Sequence, residues 1–373
     1  MKIVCEREKL LDAFQTVAAV APSRSPKPVL QNVKLDVSKD KVLLMATDME
    51  VGIRMEVGGI TSEVEGKALL PVQRFGSILR ESTDDKLVIE ADPQGTVIKG
   101  ERSEFKLPGA NPEEFPDVAA FEDKAHHEVP ARFLKELIRR TLFATDTESS
   151  RYALGGVLLE FDSDKLTAVG TDGRRLAKME GPAMSVEGGS SSETMTIVPS
   201  KAMQLIERAL SDGDAEVQIA AHNSDVQVKS PRATIYARLV EGRFPKWRDV
   251  LPQRTGSNKI ELSVGPVFAA VRQASIVASE ESRGILLTFD GGTLTISGQT
   301  AEVGQSRIEL PIAYEGEKIA ISLDHRFVAD FLKVLDAEKN FTLDVQDGDA
   351  AALFTTDDGY GYVVMPLARE GRK

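Results

Sequence analysis

The sequence predicts an α+β protein built from three tandem copies of one domain, each with two helices packed on antiparallel sheets. One short phrase occurs three times, at residues 44–48 (Leu-Met-Ala-Thr-Asp), 167–172 (Thr-Ala-Val-Gly-Thr-Asp) and 296–300 (Ile-Ser-Gly-Gln-Thr). A second phrase, an apolar run that leads into a helix, begins near Pro71, Pro199 and Leu323. Both phrases recur at a spacing of about 124 to 128 residues, which is the size of a whole domain.

Each copy opens with an amphipathic helix and has a second helix in its middle. The apolar residues of the opening helices are Leu10, Leu11, Phe14 and Val17; Phe133, Leu134, Leu137, Ile138 and Leu142; and Val267, Phe268, Val271 and Ile276. Pro130 and Pro266 stand at the start of the second and third of these helices, where proline is favourable. The middle helices are predicted at residues 72–80, 200–210 and 324–335.

Alternating strands fill the rest of each copy. Three hairpins occupy equivalent places, at residues 86–99, 216–229 and 341–354, each with a turn signal in its centre. Polar, turn-rich stretches at 117–128 and 252–259 are predicted linkers, and the Ser- and Gly-rich run 187–192 is a predicted loop tip. We therefore place three domains at residues 1–122, 123–254 and 255–373.

The composition is that of a soluble globular protein. Hydrophobic residues make up 42% of the 373 residues, which is ample for ordinary cores. Cys5 is the single cysteine, so no internal disulfide is possible and a reducing compartment is expected. Residues 1–6 become charged too early for a signal peptide, and no apolar run is long enough to cross a bilayer. We expect a cytoplasmic protein that binds no membrane.

The net charge of −12 is unfavourable for binding nucleic acid, unless the charges are segregated. Summed over the six predicted helices the charge is roughly +6, which leaves about −18 for the remainder. Most of the positive excess comes from Arg74, Arg80, Arg132, Lys135, Arg139 and Arg140. Solvated helix faces commonly carry basic residues, so charge alone leaves both interpretations open.

No catalytic or metal-binding constellation is evident. His126 and His127 are adjacent in a predicted linker and are expected to be solvated. The segment 172–175 (Asp-Gly-Arg-Arg) is interpreted as a turn between strands, because Asp48 occupies the equivalent place without arginines. The Asp-Gly-Asp runs at 212–214 and 347–349 lack the closing glutamate of a calcium loop. We expect no cofactor, no metal and no enzymatic activity.

Four motifs carry a resemblance to a known family. Residues 171–177 (Thr-Asp-Gly-Arg-Arg-Leu-Ala) resemble the Thr-Asp-Gly-His-Arg-Leu-Ala signature of bacterial DNA polymerase sliding clamps, the beta subunits of DNA polymerase III. Residues 151–156, the pair Phe244-Pro245 with Val250-Leu251-Pro252, and the ending 362–367 (Tyr-Val-Val-Met-Pro-Leu) are similar to further motifs of that family, in the same order. Together with the three copies, the resemblance covers the whole chain.

The resemblance implies three clamp domains per chain and a head-to-tail homodimer that forms a ring around duplex DNA. It also implies an apolar pocket that binds peptides of the replicative polymerase catalytic subunit, the clamp loader and repair proteins. The implied pocket residues are Leu154, Thr171, Gly173, Arg174, Arg175, Leu176, Pro245, Val250, Val363, Val364, Met365, Pro366 and Leu367.

Two further sets of residues follow from the same resemblance. The implied DNA contacts, which do not depend on base sequence, are Arg24, Arg74, Arg151, Tyr152 and Lys201. The implied dimer interface consists of Arg102, Phe105, Leu107, Ile276, Val277 and Glu302. A processivity factor of this kind is expected near the nucleoid.

The sequence departs from the family pattern at several places. Arg174 replaces the commoner histidine, Leu367 replaces methionine, and residues 368–373 continue beyond the usual end. Glu148 and Ala153 stand where the family's DNA-contacting loop often has polar or aromatic residues. Two rival functions remain: a triplicated peptide-binding scaffold that never encircles DNA, and an enzyme in which an Asp-Gly turn binds a metal.

Overall fold

The computed structural model describes residues 1–146, 152–188, 195–210, 213, 215–252, 258–279, 281 and 283–368. The chain divides into two compact units, which are described separately. Unit 1 contains residues 1–135, 161–164 and 183–240. Unit 2 contains residues 136–160, 165–182 and 241–373.

The described residues form six α-helices, two in each copy of the repeat. They are α1 (Arg7–Ala18), α2 (Val72–Glu81), α3 (Ala131–Thr141), α4 (Ser200–Ala209), α5 (Val264–Ala274) and α6 (His325–Lys333). All six agree with the sequence prediction apart from their ends. The prediction for α6 began at Asp324, but that side chain caps the helix from outside by accepting the N–H of Arg326 at 2.9 Å.

Strands surround the helices in a similar order in each copy, except that the described residues form five strands between the two helices of the first and second copies and four in the third. The first copy has β1 (Lys2–Glu6), β2 (Asn32–Val37), β3 (Val42–Thr47), β4 (Val51–Glu56), β5 (Ile60–Val64), β6 (Gly66–Pro71), β7 (Lys86–Asp92), β8 (Gly95–Lys99) and β9 (Glu104–Pro108). The second has β10 (His126–Pro130), β11 (Gly156–Phe161), β12 (Lys165–Thr171), β13 (Arg175–Pro182), β14 (Met184–Val186), β15 (Thr196–Pro199), β16 (Glu216–Ala221), β17 (Asp225–Lys229) and β18 (Ala233–Arg238). The third has β19 (Asn258–Ser263), β20 (Gly284–Asp290), β21 (Thr293–Thr300), β22 (Gly304–Pro311), β23 (Ile319–Asp324), β24 (Asn340–Val345), β25 (Ala352–Thr355) and β26 (Tyr360–Val364).

Unit 1 contains two antiparallel sheets. The five-stranded sheet has the order β5-β1-β7-β8-β9, and the nine-stranded sheet has the order β14-β10-β16-β17-β18-β4-β3-β2-β6. The larger sheet joins the first copy to the second, because β18 pairs with β4 with Ile235 opposite Ile53. Helices α1 and α2 pack together through Phe14 and Phe75, whose ring centroids are 4.9 Å apart.

In unit 2, two copies are joined by strand pairing in the same way. Strands β11-β12-β13-β26-β25-β24-β19 are hydrogen-bonded neighbours in that order, and β22-β21-β20-β23 form a second sheet. The second copy is joined to the third by β13 and β26, with Leu176 opposite Val363. Phe331 of α6 lies at the centre of the aromatic core of this unit, with centroids of Phe341, Phe354, Tyr360 and Tyr362 within 5.1 to 5.5 Å.

The repeat extends to single glycines. A side-chain carbon on Gly298 would lie 2.6 Å from the carbonyl oxygen of Ala274, at the end of α5. Gly170 is equivalent, since a Cβ there would collide with the carbonyl oxygen of Thr141 at the end of α3. Glycine therefore occurs in the second and third copies of the repeated phrase, because the helix end there approaches the strand too closely for a side chain, whereas the first copy has Ala46 in this place.

The prediction that His126 and His127 lie in a solvated linker is wrong. Both belong to β10 and are buried, with exposures of 8% and 3%. His127 occupies the position of Ile3 and Ile260 in the other copies, four residues before the helix, and stacks on Phe161 at 4.6 Å. Burial, aided by the nearby His126, lowers the pKa of His127.

Stability is therefore expected to fall on acidification through His127. Its pKa is lower in the folded than in the unfolded state, so stability decreases as the pH falls below the unfolded value of about 6.5. Replacing His127 by isoleucine, the residue of the equivalent positions, should raise Tm more near pH 5.5 than near pH 7.5, as measured by calorimetry. An equal shift at the two pH values would contradict the assignment.

His222 provides a control of opposite sign. Partial burial works against its protonation, but Asp225 at 2.8 Å and Asp123 at 3.0 Å raise its pKa. The stabilising contribution of protonated His222 is present below its unfolded pKa and is lost as the pH rises through the folded one. The change His222→Gln should therefore lower Tm more at acidic than at alkaline pH.

Candidate functional site

The turn between β12 and β13 is stabilised by hydrogen bonds between its own side chains and its backbone. The hydroxyl of Thr171 donates to the carbonyl of Arg175 at 2.6 Å and accepts the N–H of Gly173 at 3.1 Å. Asp172 Oδ1 accepts the N–H groups of Arg174 and Arg175 at 2.9 and 3.0 Å. Gly173 has a φ of 87°, a conformation that glycine adopts without strain. The segment is a turn between strands, as the sequence predicted.

The first copy contains the same turn. Thr47 donates to the carbonyl of Val51 at 2.9 Å, and Asp48 Oδ1 accepts the N–H groups of Glu50 and Val51 at 3.0 and 2.7 Å. Met49, with a φ of 82°, stands in the place of Gly173. The repeated Thr-Asp phrase therefore encodes a hydrogen-bonded turn, and both aspartates are already engaged by the backbone.

The largely buried side chain of Arg175 stabilises the turn between β12 and β13. Its guanidinium donates from Nε to Asp172 at 3.0 Å, from Nη1 to Asp330 at 2.6 Å and from Nη2 to the carbonyl of Phe143 at 2.7 Å. It also lies 4.4 Å from the ring centroid of Phe327. Its side chain is only 10% exposed, so Arg175 makes mainly internal contacts and offers little surface to a ligand.

The C-terminal segment lies directly beside this turn. Strand β26 places Val364 opposite Arg175, and the N–H of Met365 donates to the carbonyl of Arg174 at 3.0 Å. The N–H of Leu367 donates to the carbonyl of Ser322 at 2.9 Å. Met365 itself is 48% exposed. The turn and residues 364–367 therefore lie side by side, and the exposed Met365 is hydrogen-bonded to the turn through its backbone.

Two further segments of the candidate pocket belong to the same unit. Leu154 ends the 3₁₀ turn Tyr152–Leu154, and a Cβ on Gly242 would lie 3.2 Å from the Cβ of Ala153 in that turn. Residues 245–250 are held to β11 by Glu160, which accepts from Trp247 Nε1 at 3.3 Å and from Arg248 at 3.1 and 2.7 Å. Val250 is 43% exposed at the end of this segment.

Burial divides the candidate pocket residues into three groups. The exposed residues are Gly173, Arg174, Pro245, Val250 and Met365. The half-buried residues are Arg175, Pro366 and Leu367. The buried residues are Leu154, Thr171, Leu176, Val363 and Val364. The sequence did not reveal the residues that hold these segments, chiefly Asp330, Phe327 and Glu160, because no motif marks them.

The helices carry a basic surface. Ten of their lysines and arginines are exposed, against three exposed acidic residues, Glu8, Asp12 and Glu81. The six helices have a net charge of +7, whereas the whole chain has −12. Charge is therefore segregated by type of element, as the sequence indicated.

Known proteins share both this fold and this sequence pattern. Profiles of the N-terminal, central and C-terminal domains of the DNA polymerase III beta subunit match residues 1–119, 128–246 and 248–368. A beta sliding clamp of Pseudomonas putida is 31% identical over 98% of this chain and 100% of its own length. The chain belongs to the DNA polymerase III beta subunit family.

Solved structures of sliding clamps agree. The clamp of Pseudomonas aeruginosa bound to griselimycin has a TM-score of 0.90 and 29% identity, covering 99% of this chain and 100% of that one. The clamp of Bacillus subtilis has a TM-score of 0.88 at 24% identity, which shows the shared fold. The chain is thus a sliding clamp of the bacterial replicative polymerase and not a catalytic subunit.

The DNA-contact residues that the family resemblance implied differ in their surroundings. Arg24 and Arg74 are exposed. Lys201 of α4 is bound to Asp48 and donates to the carbonyl of Val20 at 3.2 Å, so a carboxylate already compensates its charge. Partial burial opposes ionisation of Asp48, but Lys201 and the turn's N–H groups lower its pKa. Arg151 and the Tyr152 side chain lie outside the described residues.

One basic residue named in the charge argument belongs to the interior. Arg140 is 4% exposed and pairs with Glu136 at 2.6 Å and with Asp358 at 2.7 Å. Its guanidinium also lies 5.1 Å from the ring centroid of Tyr360. Arg140 therefore stabilises the joint between the second and third copies and does not contribute to a surface for DNA.

The implied interface residues lie on β9 and at the end of α5. Phe105 is 38% exposed on β9, while Leu107 on the same strand is buried. Ile276, expected to continue the apolar face of α5, instead lies in the 3₁₀ turn Ser275–Val277 and is 75% exposed. Arg102 and Glu302 are exposed.

The described residues include no group of three or more His, Cys, Asp or Glu side chains placed to hold a metal. No described helix combines the length and the apolar character needed to cross a bilayer.

Proposed function

We propose that two chains close head to tail into a ring around duplex DNA, and that an apolar pocket on each chain tethers the polymerase. The proposal of a ring rests on one observation. Strands β9 and β22 lie at sheet edges, whereas the equivalent strands of the other copies pair with each other, β18 with β4 and β26 with β13. Among the strands that the structure describes, none covers the outer edge of either. The unpaired N–H and C=O groups of an edge strand can pair with a strand of another chain.

Equivalent rows of residues across the sheets support the pairing of β9 with β22 of a second chain. In the second copy the row His127-Ile219-Val228-Ile235 ends opposite Ile53 of β4. In the third copy the row Ile260-Leu343-Phe354-Tyr362 ends opposite Ala177 of β13. In the first copy the row Ile3-Ile89-Ile98-Phe105 ends without a partner among the described strands. The strand equivalent to β4 and β13 is β22, and the residue equivalent to Ile53 and Ala177 is Ser306.

A second protomer supplies the missing row. With its Ser306 opposite Phe105, antiparallel pairing places its Arg307 opposite Glu104 and its Glu309 opposite Arg102. The hydroxyl of Ser306 donates to the carbonyl of Ala274 at 3.1 Å, so this position faces the end of α5. Phe105 would thereby meet the exposed Ile276, and opposite charges would face each other on the other side of the sheet.

Such a contact joins two different surfaces, so it forms either an open filament or a closed ring. Within each chain, β18 pairs with β4 and β26 pairs with β13 in the same register. If β9 of each chain pairs in this way with β22 of the other, the closed dimer contains six copies that are joined equivalently. The basic helices would line the hole, where attraction to phosphates does not depend on base sequence and permits sliding. Arg24 and Arg74, which are exposed, are candidates for these contacts, with Arg151, Tyr152 and Lys201 as further ones.

The pocket is proposed to be formed by the β12–β13 turn, residues 245–250, Leu154 and the C-terminal residues 363–367. Exposed apolar side chains over a buried floor suit short linear peptides, and a flexible methionine adapts to several of them. The proposed partners are the polymerase catalytic subunit, the clamp loader and repair proteins. We further propose domain limits at 1–122, 123–254 and 255–373, and a cytoplasmic location at the nucleoid.

Retention on circular DNA tests the ring. After loading by the clamp loader, the protein should stay on nicked circular DNA and leave once a restriction enzyme linearises it, because topology and not affinity retains it. Gel filtration of the protein with nicked and with linearised DNA measures this. Equal retention on both forms would favour the rival scaffold that binds without encircling DNA. Metal-dependent cleavage of a phosphoester would favour the enzyme.

A further inference from the structure

We propose that Asp330 on α6 is a positioning residue of the peptide site, a role that rests on the pocket proposed above. No sequence motif includes Asp330, and it lies 155 residues from Arg175 in the chain. The inference also changes the role of Arg175. It is a support beneath the turn, and its contact with a bound peptide is secondary.

The contacts of Arg175 carry the argument. Each of its three guanidinium nitrogens has an acceptor, namely Asp172, Asp330 and the carbonyl of Phe143, at 3.0, 2.6 and 2.7 Å. The rings of Phe327 and Phe143 lie against it at 4.4 and 5.3 Å. A guanidinium held on all sides has one orientation, and charge-assisted bonds to carboxylates fix it most strongly.

That orientation is transmitted to the pocket surface. Arg175 holds Asp172 Oδ2, while Asp172 Oδ1 holds the N–H groups of Arg174 and Arg175. The carbonyl of Arg174 in turn accepts the N–H of Met365. A continuous chain of polar contacts therefore runs from Asp330 through the turn to the exposed methionine.

The first copy shows that the turn itself does not need the arginine. Val51 replaces Arg175 there, and the turn forms with the same backbone hydrogen bonds. Its Asp48 is bound instead by Lys201 from α4, the helix equivalent to α6. Each turn is therefore contacted by the middle helix of the next copy. Lys201 of α4 binds Asp48 directly, whereas Asp330 of α6 acts through the largely buried Arg175, which lies beneath an exposed apolar surface.

Loss of Asp330 should loosen this support without unfolding the protein. Its side chain is 39% exposed, and Arg175 would retain Asp172 and the carbonyl of Phe143. The guanidinium would then gain freedom, and the turn and Met365 would have to be ordered when a peptide binds. Ordering costs of this kind reduce affinity.

The experiment measures binding of the full-length clamp to the immobilised polymerase III catalytic subunit. Asp330→Asn, which keeps the shape and removes the charge, should weaken binding roughly tenfold, a change of about 1.4 kcal/mol. Asp330→Glu, which keeps the carboxylate, should recover most of the loss. Glu338→Gln, at an exposed carboxylate beyond α6, is the control and should bind like the parent.

A double-mutant cycle separates positioning from general destabilisation. Asp172→Asn and Asp330→Asn should have less than additive effects on affinity, since they act on the same arginine. Unchanged affinity of Asp330→Asn, while Met365→Ala weakens binding, would overturn this inference and leave the pocket intact. Unchanged affinity of Met365→Ala would instead overturn the pocket. A loss that Asp330→Glu does not recover would also contradict positioning by the carboxylate.

Discussion

Reversing the charge of Glu104 is expected to turn the dimer into a monomer. In the proposed register Glu104 lies opposite Arg307 of the second protomer, and Glu104→Arg would place two arginines in contact. Like charges at an interface cost several kcal/mol, and a ring contains this contact twice. Even about 2 kcal/mol at each site would weaken the dimer roughly a thousandfold. Sedimentation at micromolar concentration measures the change.

The second half of this experiment tests the register. Arg307→Glu alone should also give a monomer, whereas the double variant Glu104→Arg with Arg307→Glu should restore the dimer, because the opposite charges are exchanged. Glu63→Arg is a matched control, since Glu63 lies on β5 at the other edge of the same sheet. Its side chain is 45% exposed, compared with 47% for Glu104. A monomeric double variant would refute the register.

Removing the side chain of Met365 is expected to weaken polymerase binding by roughly tenfold or more, without dissociating the dimer. Met365 belongs to the proposed pocket and is 48% exposed, so a bound peptide would bury its exposed surface. Burying a large apolar side chain contributes about 1.5 to 3 kcal/mol. Surface plasmon resonance with the polymerase catalytic subunit measures the affinity, and sedimentation verifies the dimer.

Met49→Ala is the matched control for Met365→Ala. Met49 is 47% exposed and stands in the equivalent turn of the first copy. An equal loss of affinity in both variants would place the binding site elsewhere. Leu176→Ala is a poorer probe, because Leu176 is only 2% exposed and truncation of a buried leucine costs about 2 to 5 kcal/mol of stability. Any loss of binding there would be confounded with unfolding.

Local features of the fold could be predicted from the sequence. Each helix has an apolar stripe of period 3.6 and each hairpin alternates, so the elements and their threefold order follow from short-range patterns. The Thr-Asp turn was also recognisable, because its hydrogen bonds join residues at most four apart. Where a pattern was short the prediction failed. His126 and His127 are polar residues next to a turn-rich stretch, yet β10 carries them between neighbouring strands.

Only part of the candidate site could be predicted from the sequence. Its surface residues came from motifs, but the groups that hold them did not. Asp330 meets Arg175 across 155 residues, and Asp358 meets Arg140 across 218. An arginine on a helix is equally compatible with a DNA-facing surface and with a buried ion pair, and sequence position does not distinguish them.

The sequence by itself determined that one domain pattern is written three times and which residues form its elements, since both depend on local periodicity. Only the tertiary structure decided how the copies differ. It showed that β4 pairs with β18 between the first and second copies, that β13 pairs with β26 between the second and third, and that the equivalent strands β9 and β22 each lie at the edge of a sheet. It also showed that Arg175 supports a turn from within. The physical reason is that strand register and buried ion pairs are fixed by contacts between residues far apart in the chain, which no local pattern records.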